Sequence, residues 1–405
     1  MQRPFFSQSP KRVGSGPARP PSSRGRVTAG AGGGGGEAPG SARAAAALAT
    51  VAGGAELLPG GIDIPGKSAR IRCRQPRTSR GQSTVNSMRS ACSTVLLDAL
   101  GVLRARGQDV LPFLQGQLSN DLTLLSPDRS LLAGYHNPQG RVIALLHLLQ
   151  LAPDDLLLLL PRELIAPVIA RLSKFLLRAK VKLADDSPQW RISGLLPPAT
   201  AAGVERSDEA AAGDLLAALP ASPDATARIA AAFAVRLAQE PARWLLVSPL
   251  SQPAPPGTRP AAETRIWQRL AVAAGEPQVY AATSEEFVAQ MLNLDCLGAI
   301  AFDKGCYTGQ EIIARAHYRG RVKRRLQRFV MRDARQLRPA DAGTLSDGRA
   351  FEVVEAVVLA DGRCEFLAVA PLAIGESAPG TAAATSIAGE RFDAEALPLP
   401  YLLPS

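Results

Sequence analysis

Most of what would announce a metal centre, a disulfide scaffold or a membrane anchor is missing from this sequence. It holds five cysteines in 405 residues, at positions 73, 92, 296, 306 and 364, with no C-x-x-C pair. An odd count at such wide spacing argues against a disulfide framework and against a self-contained zinc site, so a reducing compartment is the default. The three histidines, His136, His147 and His317, are isolated from one another, and no metal cluster emerges. The Leu-rich stretch from Val142 to Leu160 is broken by His147, Gln150 and Pro153-Asp154-Asp155. It therefore falls short of the about 18 uninterrupted apolar residues that a bilayer span needs, and a soluble protein with no membrane partner is expected.

Acid is scarce at one end. Residues 1–90 carry 14 basic and 3 acidic side chains, a net of 14 − 3 = +11, which leaves 32 − 33 = −1 for the remaining 315 residues. The sequence pI of 9.8 would suggest a nucleic-acid binder, but the excess sits in a Gly, Ala, Pro, Ser and Arg-rich leader with few large apolar residues. Such a segment cannot offset its chain entropy and is expected to be disordered. It can be an organelle transit peptide, a poor signal peptide around Ala44 to Ala55, or the product of a start codon placed too early, with Met88 the real beginning. The strand-like run from Thr94, six residues after Met88, favours the last of these, so the cytoplasm is the expected compartment and the mitochondrial matrix the alternative.

The body reads as α+β. Val142 to Gln150 and Leu156 to Leu160 are apolar runs joined by a Pro-Asp turn, which predicts a buried hairpin. Leu164, Ile165, Val168, Ile169, Leu172 and Leu176 mark an amphipathic helix in which Pro167 fits only within the first turn. Residues 196–262 are rich in Ala and Pro and predict a variable subdomain with a linker, containing a helix near Leu215 and a strand at Trp244 to Val247. Beyond Arg325 short strand-like runs are separated by Asp347-Gly348 and Asp361-Gly362, hairpin signals that predict a small barrel over 326–405.

The chemistry concentrates in one stretch. An apolar run, Ala299 to Phe302, leads to Lys304-Gly305-Cys306-Tyr307-Thr308-Gly309-Gln310-Glu311 and then to Ala314-Arg315 and Arg319-Gly320. Thr308 and Glu311 have capping-box spacing, which predicts a helix from Gly309 to about Gly320 with Cys306 just ahead of it. Helix amide dipoles and the Lys304 ammonium would then favour the Cys306 thiolate, the nucleophilic and metal-binding form. The alternative is a small buried hydrophobe filling a tight turn. Arg315, Arg319, Arg321, Lys323, Arg324, Arg325 and Arg328 follow without an acid among them, as a solvated face or as a site for an anion.

That eight-residue motif resembles the signature of the YgfZ family, folate-binding proteins related to the T-protein (aminomethyltransferase) of the glycine cleavage system. The resemblance also rests on Gln115 to Asp121, Asn137-Pro138-Gln139-Gly140 and Ala274-Gly275-Glu276-Pro277, and spans roughly Val95 to Phe329. It implies a T-protein-like ring of three subdomains with a C-terminal small β-barrel: a disordered leader over 1–90, an aminomethyltransferase-like folate-binding region over 91–325, and the barrel. It further implies tetrahydrofolate, or a one-carbon derivative, as the cofactor, and Cys306 as the reactive group. Folate contacts are expected from Trp267, Lys304, Tyr307, Gln310, Glu311, Arg315 and Arg319. Trp267, between Arg265 and Arg269, is placed to stack a flat heterocycle or, alternatively, to pack an amphipathic helix on the core.

The departures from the T-protein pattern are equally informative. Where T-proteins carry an Asp-Asp pair this chain has Ala144-Leu145, and Ala273 stands where they commonly place a Glu. Alkyl groups cannot accept a proton, so ordinary aminomethyl transfer is not expected. The resemblance therefore implies an accessory protein for iron-sulfur cluster assembly or maintenance, whose partners are iron-sulfur client or assembly proteins, with an indirect link to tRNA through enzymes that modify it. A folate-dependent one-carbon transferase and an RNA-binding module using the basic stretch are the rival expectations; DNA is not an expected partner.

Overall fold

The computed structural model describes residues 92–196, 209–237, 239–260, 263–320, 322–333, 335–372 and 391–404. The leader, Cys73 and Arg321 lie outside them. The chain builds three sheets, in the order its apolar runs predict.

After β1 (Cys92–Leu96), β2 (Leu100–Arg106) leads through the short helix α1 (Val110–Gln115) to β3 (Leu131–His136). The expected hairpin follows as β4 (Val142–Ala152) and β5 (Asp155–Pro161), then α2 (Arg162–Ser173) and β6 (Lys182–Asp185). These strands form a five-stranded sheet in the order β3-β4-β5-β2-β6. Its apolar face is covered by Leu164, Ile165, Val168 and Leu172 of α2, the i, i+3, i+4 stripe a helix lays on a sheet. Pro167 is the sixth residue of α2, beyond the first turn where it is expected. The helix continues past the one backbone hydrogen bond that proline removes, because both flanking turns are pinned to the core.

The stretch over 196–262, expected as a variable subdomain with a linker, contributes strands to the second sheet. β7 (Trp190–Leu196), α3 (Glu209–Ala218), β8 (Thr226–Ile229), β9 (Ala232–Arg236), β10 (Trp244–Pro249) and β11 (Thr258–Pro260) come from this stretch and its flank. They join β1 in a six-stranded sheet, β11-β1-β7-β10-β9-β8. Within this stretch β9 and β10 are buried along nearly their whole length.

Helix α4 (Thr264–Ala274) lies against both this sheet and the last one, which α5 (Gln310–Arg319) precedes. That sheet comprises β12 (Arg324–Met331), β13 (Ala342–Leu345), β14 (Ala350–Val358), β15 (Cys364–Pro371), β16 (Arg391–Phe392) and β17 (Ala394–Leu397). Their order is β16-β13-β14-β15-β12-β17. The two edge strands are separated by the single residue Asp393, so the sheet curls until its edges nearly meet: the small barrel expected from the sequence. Both Asp-Gly sites are hairpins, with Gly348 and Gly362 at φ +86° and +82°.

Candidate functional site

Two short segments far apart in sequence meet at the cysteine motif. The first, Gln115 to Asp121, is laced to the run before the motif: Ser119 Oγ donates to the Ala299 carbonyl at 2.7 Å, and Asn120 Nδ2 donates to Gly298 at 2.9 Å. Lys304 then closes the junction. Its ammonium donates to the carbonyls of Gln115, Leu118 and Asn120 at 2.7, 2.6 and 2.8 Å, which uses all of its hydrogens. Burial pulls its pKa down to about 8, while the Asp121 carboxylate acts in the opposite direction.

This corrects the expectation that Lys304 lends its charge to the thiol. The side chain turns inward and serves as a pin, with the Tyr307 ring centroid 5.1 Å from Nζ. Tyr307 is buried as well, and burial pushes its phenol up to about 12.

The Asn137 to Gly140 turn supplies the second contact. Gly309 has φ +83°, and a Cβ there would stand 2.5 Å from the Asn137 carbonyl oxygen, so both conformation and space demand glycine. This close approach sets where the helix begins. Gly309 is the N-cap, no side chain caps it, and α5 starts at Gln310; the expected Thr308–Glu311 capping box does not form. Cys306 accordingly lies farther from the helix N-terminus than predicted, with Tyr307, Thr308 and Gly309 between it and Gln310.

Cys306 itself is exposed, and next to it a Cβ on Gly305 would meet nothing within 4 Å. The other described cysteines differ: Cys92 and Cys364 are buried, and burial pushes half-buried Cys296 up to about 11. Glu311, Arg315 and Arg319 are exposed on α5, and Gln310 reaches the Lys304 carbonyl at a long 3.4 Å. His317 is exposed and stacks on Phe302 with ring centroids 3.8 Å apart.

The structure does not bring Trp267 to this site. Trp267 packs into the core between α4 and the second sheet, with Val95, Ile192 and Val247, whereas Tyr307 and Ile313 belong to a separate cluster. A Cβ on Gly194 would come 2.2 Å from the indole, and the Arg243 guanidinium lies 5.4 Å from its centroid. Part of the basic stretch is likewise consumed. Arg325 is buried in a two-pronged pair with Asp295 at 3.0 and 2.9 Å, and Arg328 pairs with Glu365 at 2.7 Å. Arg315, Arg319 and Lys323 remain exposed with no ion pair among the described residues.

A charged relay passes unnoticed in the sequence. Asn137 Nδ2 donates to Glu285 Oε2 at 3.0 Å, Glu285 also pairs with Arg171, and Arg141 Nη1 donates to the Glu285 carbonyl at 3.1 Å. Glu285 adopts φ +67°, uncommon for a residue with a side chain. Its only sequence signal is its place between the Gly275 and Cys306 motifs. Ala144 and Leu145 are both buried in β4, so no carboxylate stands at either position. Among the described residues no group of three or more His, Cys, Asp or Glu could hold a metal ion.

Comparison with known proteins identifies relatives of this chain. The tRNA-modifying protein YgfZ of Vibrio vulnificus (strain CMCP6) is 30% identical over 239 residues, 58% of this chain and 68% of that protein. Its counterpart in Yersinia pseudotuberculosis serotype O:1b (strain IP 31758) is 30% identical over 251 residues, 60% of this chain and 73% of the relative. The chain belongs to the YgfZ family. No family model matches it. In fold it is similar to the glycine cleavage system aminomethyltransferase T from Bartonella henselae, with a TM-score of 0.53 at 14% identity over 70% of this chain and 79% of that one. For this YgfZ-family chain, then, the α+β class and the aminomethyltransferase-like fold hold, and no helix among the described residues is long and apolar enough to cross a membrane.

Proposed function

We propose that this chain is a tetrahydrofolate-dependent accessory protein that helps assemble or maintain iron-sulfur clusters in client enzymes, including enzymes that modify tRNA, with Cys306 as its working thiol. The observation that carries this reading is the pairing of an exposed Cys306 with a rigid base: the thiol stands two residues from a lysine whose ammonium is fixed by three carbonyls. A thiol so presented can meet a partner without reorganising, in a family whose relatives are named for tRNA modification. One thiolate cannot complete the coordination of a cluster. The cluster is therefore cargo, shared for the moment of transfer with thiols of a partner, in a compartment reducing enough to keep Cys306 free, the cytoplasm or the mitochondrial matrix.

The residues present fit folate only in part. Exposed Arg315 and Arg319 suit the carboxylates of a glutamyl tail, because guanidinium forks match carboxylates in two-pronged fashion. Trp267 and Lys304 do not suit the pterin: the indole is covered by Gly194 and the ammonium is fully used. The pterin wall of this chain is assigned to neither residue, and no chemical step is routed through the folate. Buried Ala144 and Leu145 weigh against the one-carbon transferase, and the loss of Arg325 and Arg328 to ion pairs weighs against an RNA platform on the basic stretch.

The test has two arms. In a strain lacking the gene, Cys306→Ala at wild-type protein level should leave iron-sulfur enzyme activity at the deletion level; full activity would refute the role of the thiol. Anaerobic calorimetry with tetrahydrofolate should show saturable binding, and its absence would remove the cofactor from the proposal.

A further inference from the structure

The loop between α2 and β6 displays apolar side chains that the fold has no use for. Phe175 is 50% exposed and Leu177 is 92% exposed, two residues apart on one turn. Single exposed leucines are ordinary, but this one also holds φ +42°, a conformation unfavourable for a branched side chain.

The turn is fixed rather than loose. Phe175 N donates to the Leu172 carbonyl at 3.0 Å, and Ala179 N donates to Leu176 at 2.6 Å. At its far end Lys180 N donates to Asp109 Oδ2 at 2.8 Å, and the Lys180 carbonyl lies 1.9 Å from where a Cβ on Gly107 would stand. A pair of apolar side chains held out on a pinned turn is organised for contact before any partner arrives.

Charge surrounds them. Residues 173–183 contain Lys174, Arg178, Lys180 and Lys182 and no acid, and all four cations are exposed with no ion pair among the described residues. Lysines beside an edge strand such as β6 also discourage strand-to-strand aggregation, which accounts for the charge but not for the bared Phe175 and Leu177. The loop is linked to the start of the helix that follows the thiol. Arg171, in the last turn of α2, pairs with Glu285, which accepts from Asn137, whose carbonyl packs on Gly309 at the start of α5.

We infer that the Lys174–Lys182 loop is the docking surface for a protein partner that presents an acidic rim around an apolar pocket, with Leu177 and Phe175 as the anchors and the four cations as the rim contacts. The inference rests on the client reading above. An acidic protein is favoured over a nucleic acid because the most exposed anchor is aliphatic, which cannot stack on a base.

The experiment uses the full chain in the deletion strain, with iron-sulfur client activity as readout. Leu177→Gly removes the anchor while suiting the left-handed backbone, so it should fold at least as well as wild type; a second variant carries Lys174, Arg178 and Lys180 as Glu. Both should cut client support about tenfold, with the Cys306 alkylation rate and the tetrahydrofolate affinity of the purified proteins unchanged. Client support at the wild-type level in both variants, with Cys306→Ala inactive, overturns the docking surface and leaves the function standing. Full support by Cys306→Ala overturns both. Binding of the wild-type chain to bulk tRNA, or to vesicles of about 30% phosphatidylserine at about 150 mM salt, that the two variants lose would assign the loop to RNA or lipid and also overturn the proposal.

Discussion

The Lys304 ammonium lies 2.6 Å from the carbonyl oxygen of Leu118, a residue 186 positions away, and this bond joins the loop that bears Cys306 to the turn after α1. Its two companion bonds, to Gln115 and Asn120, complete a cage of three acceptors that matches the three hydrogens of an ammonium. Lys304→Met should therefore strand three carbonyls and destabilise the fold by about 3 kcal/mol, measured by urea unfolding. Stability equal to wild type would mean that the cage is not formed in solution.

The cysteines should separate cleanly in a labelling experiment. With Cys73 replaced by Ser, iodoacetamide at pH 7.5 should modify Cys306 first, because Cys92 and Cys364 are buried and Cys296 is pushed up to about 11. Peptide mapping by mass spectrometry checks the order, and early labelling at Cys296 would contradict it.

Gly194 and Trp267 predict a packing defect. Because a Cβ at 194 would stand 2.2 Å from the indole, Gly194→Ala should cost about 2 kcal/mol of stability through overpacking. Trp267→Phe should lower the melting temperature while leaving tetrahydrofolate affinity unchanged in the protein that remains folded. A loss of affinity without a loss of stability would return Trp267 to the pterin site.

Acid should destabilise the protein through His136. This side chain is fully buried, and burial pushes its pKa from the ordinary 6.5 down to about 3. The folded form keeps it neutral while the unfolded chain takes up a proton, so the stability present above pH 6.5 is lost as the pH falls towards 3. Its contribution is about 1.4 kcal/mol per pH unit. His147, which burial lowers to about 4, adds to the same slope, so urea midpoints between pH 7 and 5 should fall by more than His136 alone accounts for, and His136→Gln should reduce the slope by its own share; an unchanged slope would contradict the assignment.

Periodicity and turn chemistry made much of the fold legible. The Val142 to Leu160 hairpin, the α2 stripe and both Asp-Gly turns follow from local pattern, because each is decided by residues within one element. What stayed hidden depends on partners distant in sequence. Arg325 and Arg328 read as free cations until folding brings Asp295 and Glu365 to them, 30 and 37 residues away. Lys304 and Trp267 carry the residue types that a folate site needs, but whether a side chain faces a ligand or the core is a tertiary fact. The start of α5 shows the same override: Thr308-x-x-Glu311 has capping spacing, yet the contact of Gly309 with Asn137 decides where the helix begins.

The most direct measurement of the central claim is the nucleoside composition of tRNA from a gene-deletion strain carrying either wild type or Cys306→Ser at matched protein levels. The account predicts that nucleosides made by iron-sulfur tRNA-modifying enzymes return with wild type and stay at the deletion level with Cys306→Ser. Equal recovery with both proteins would contradict it.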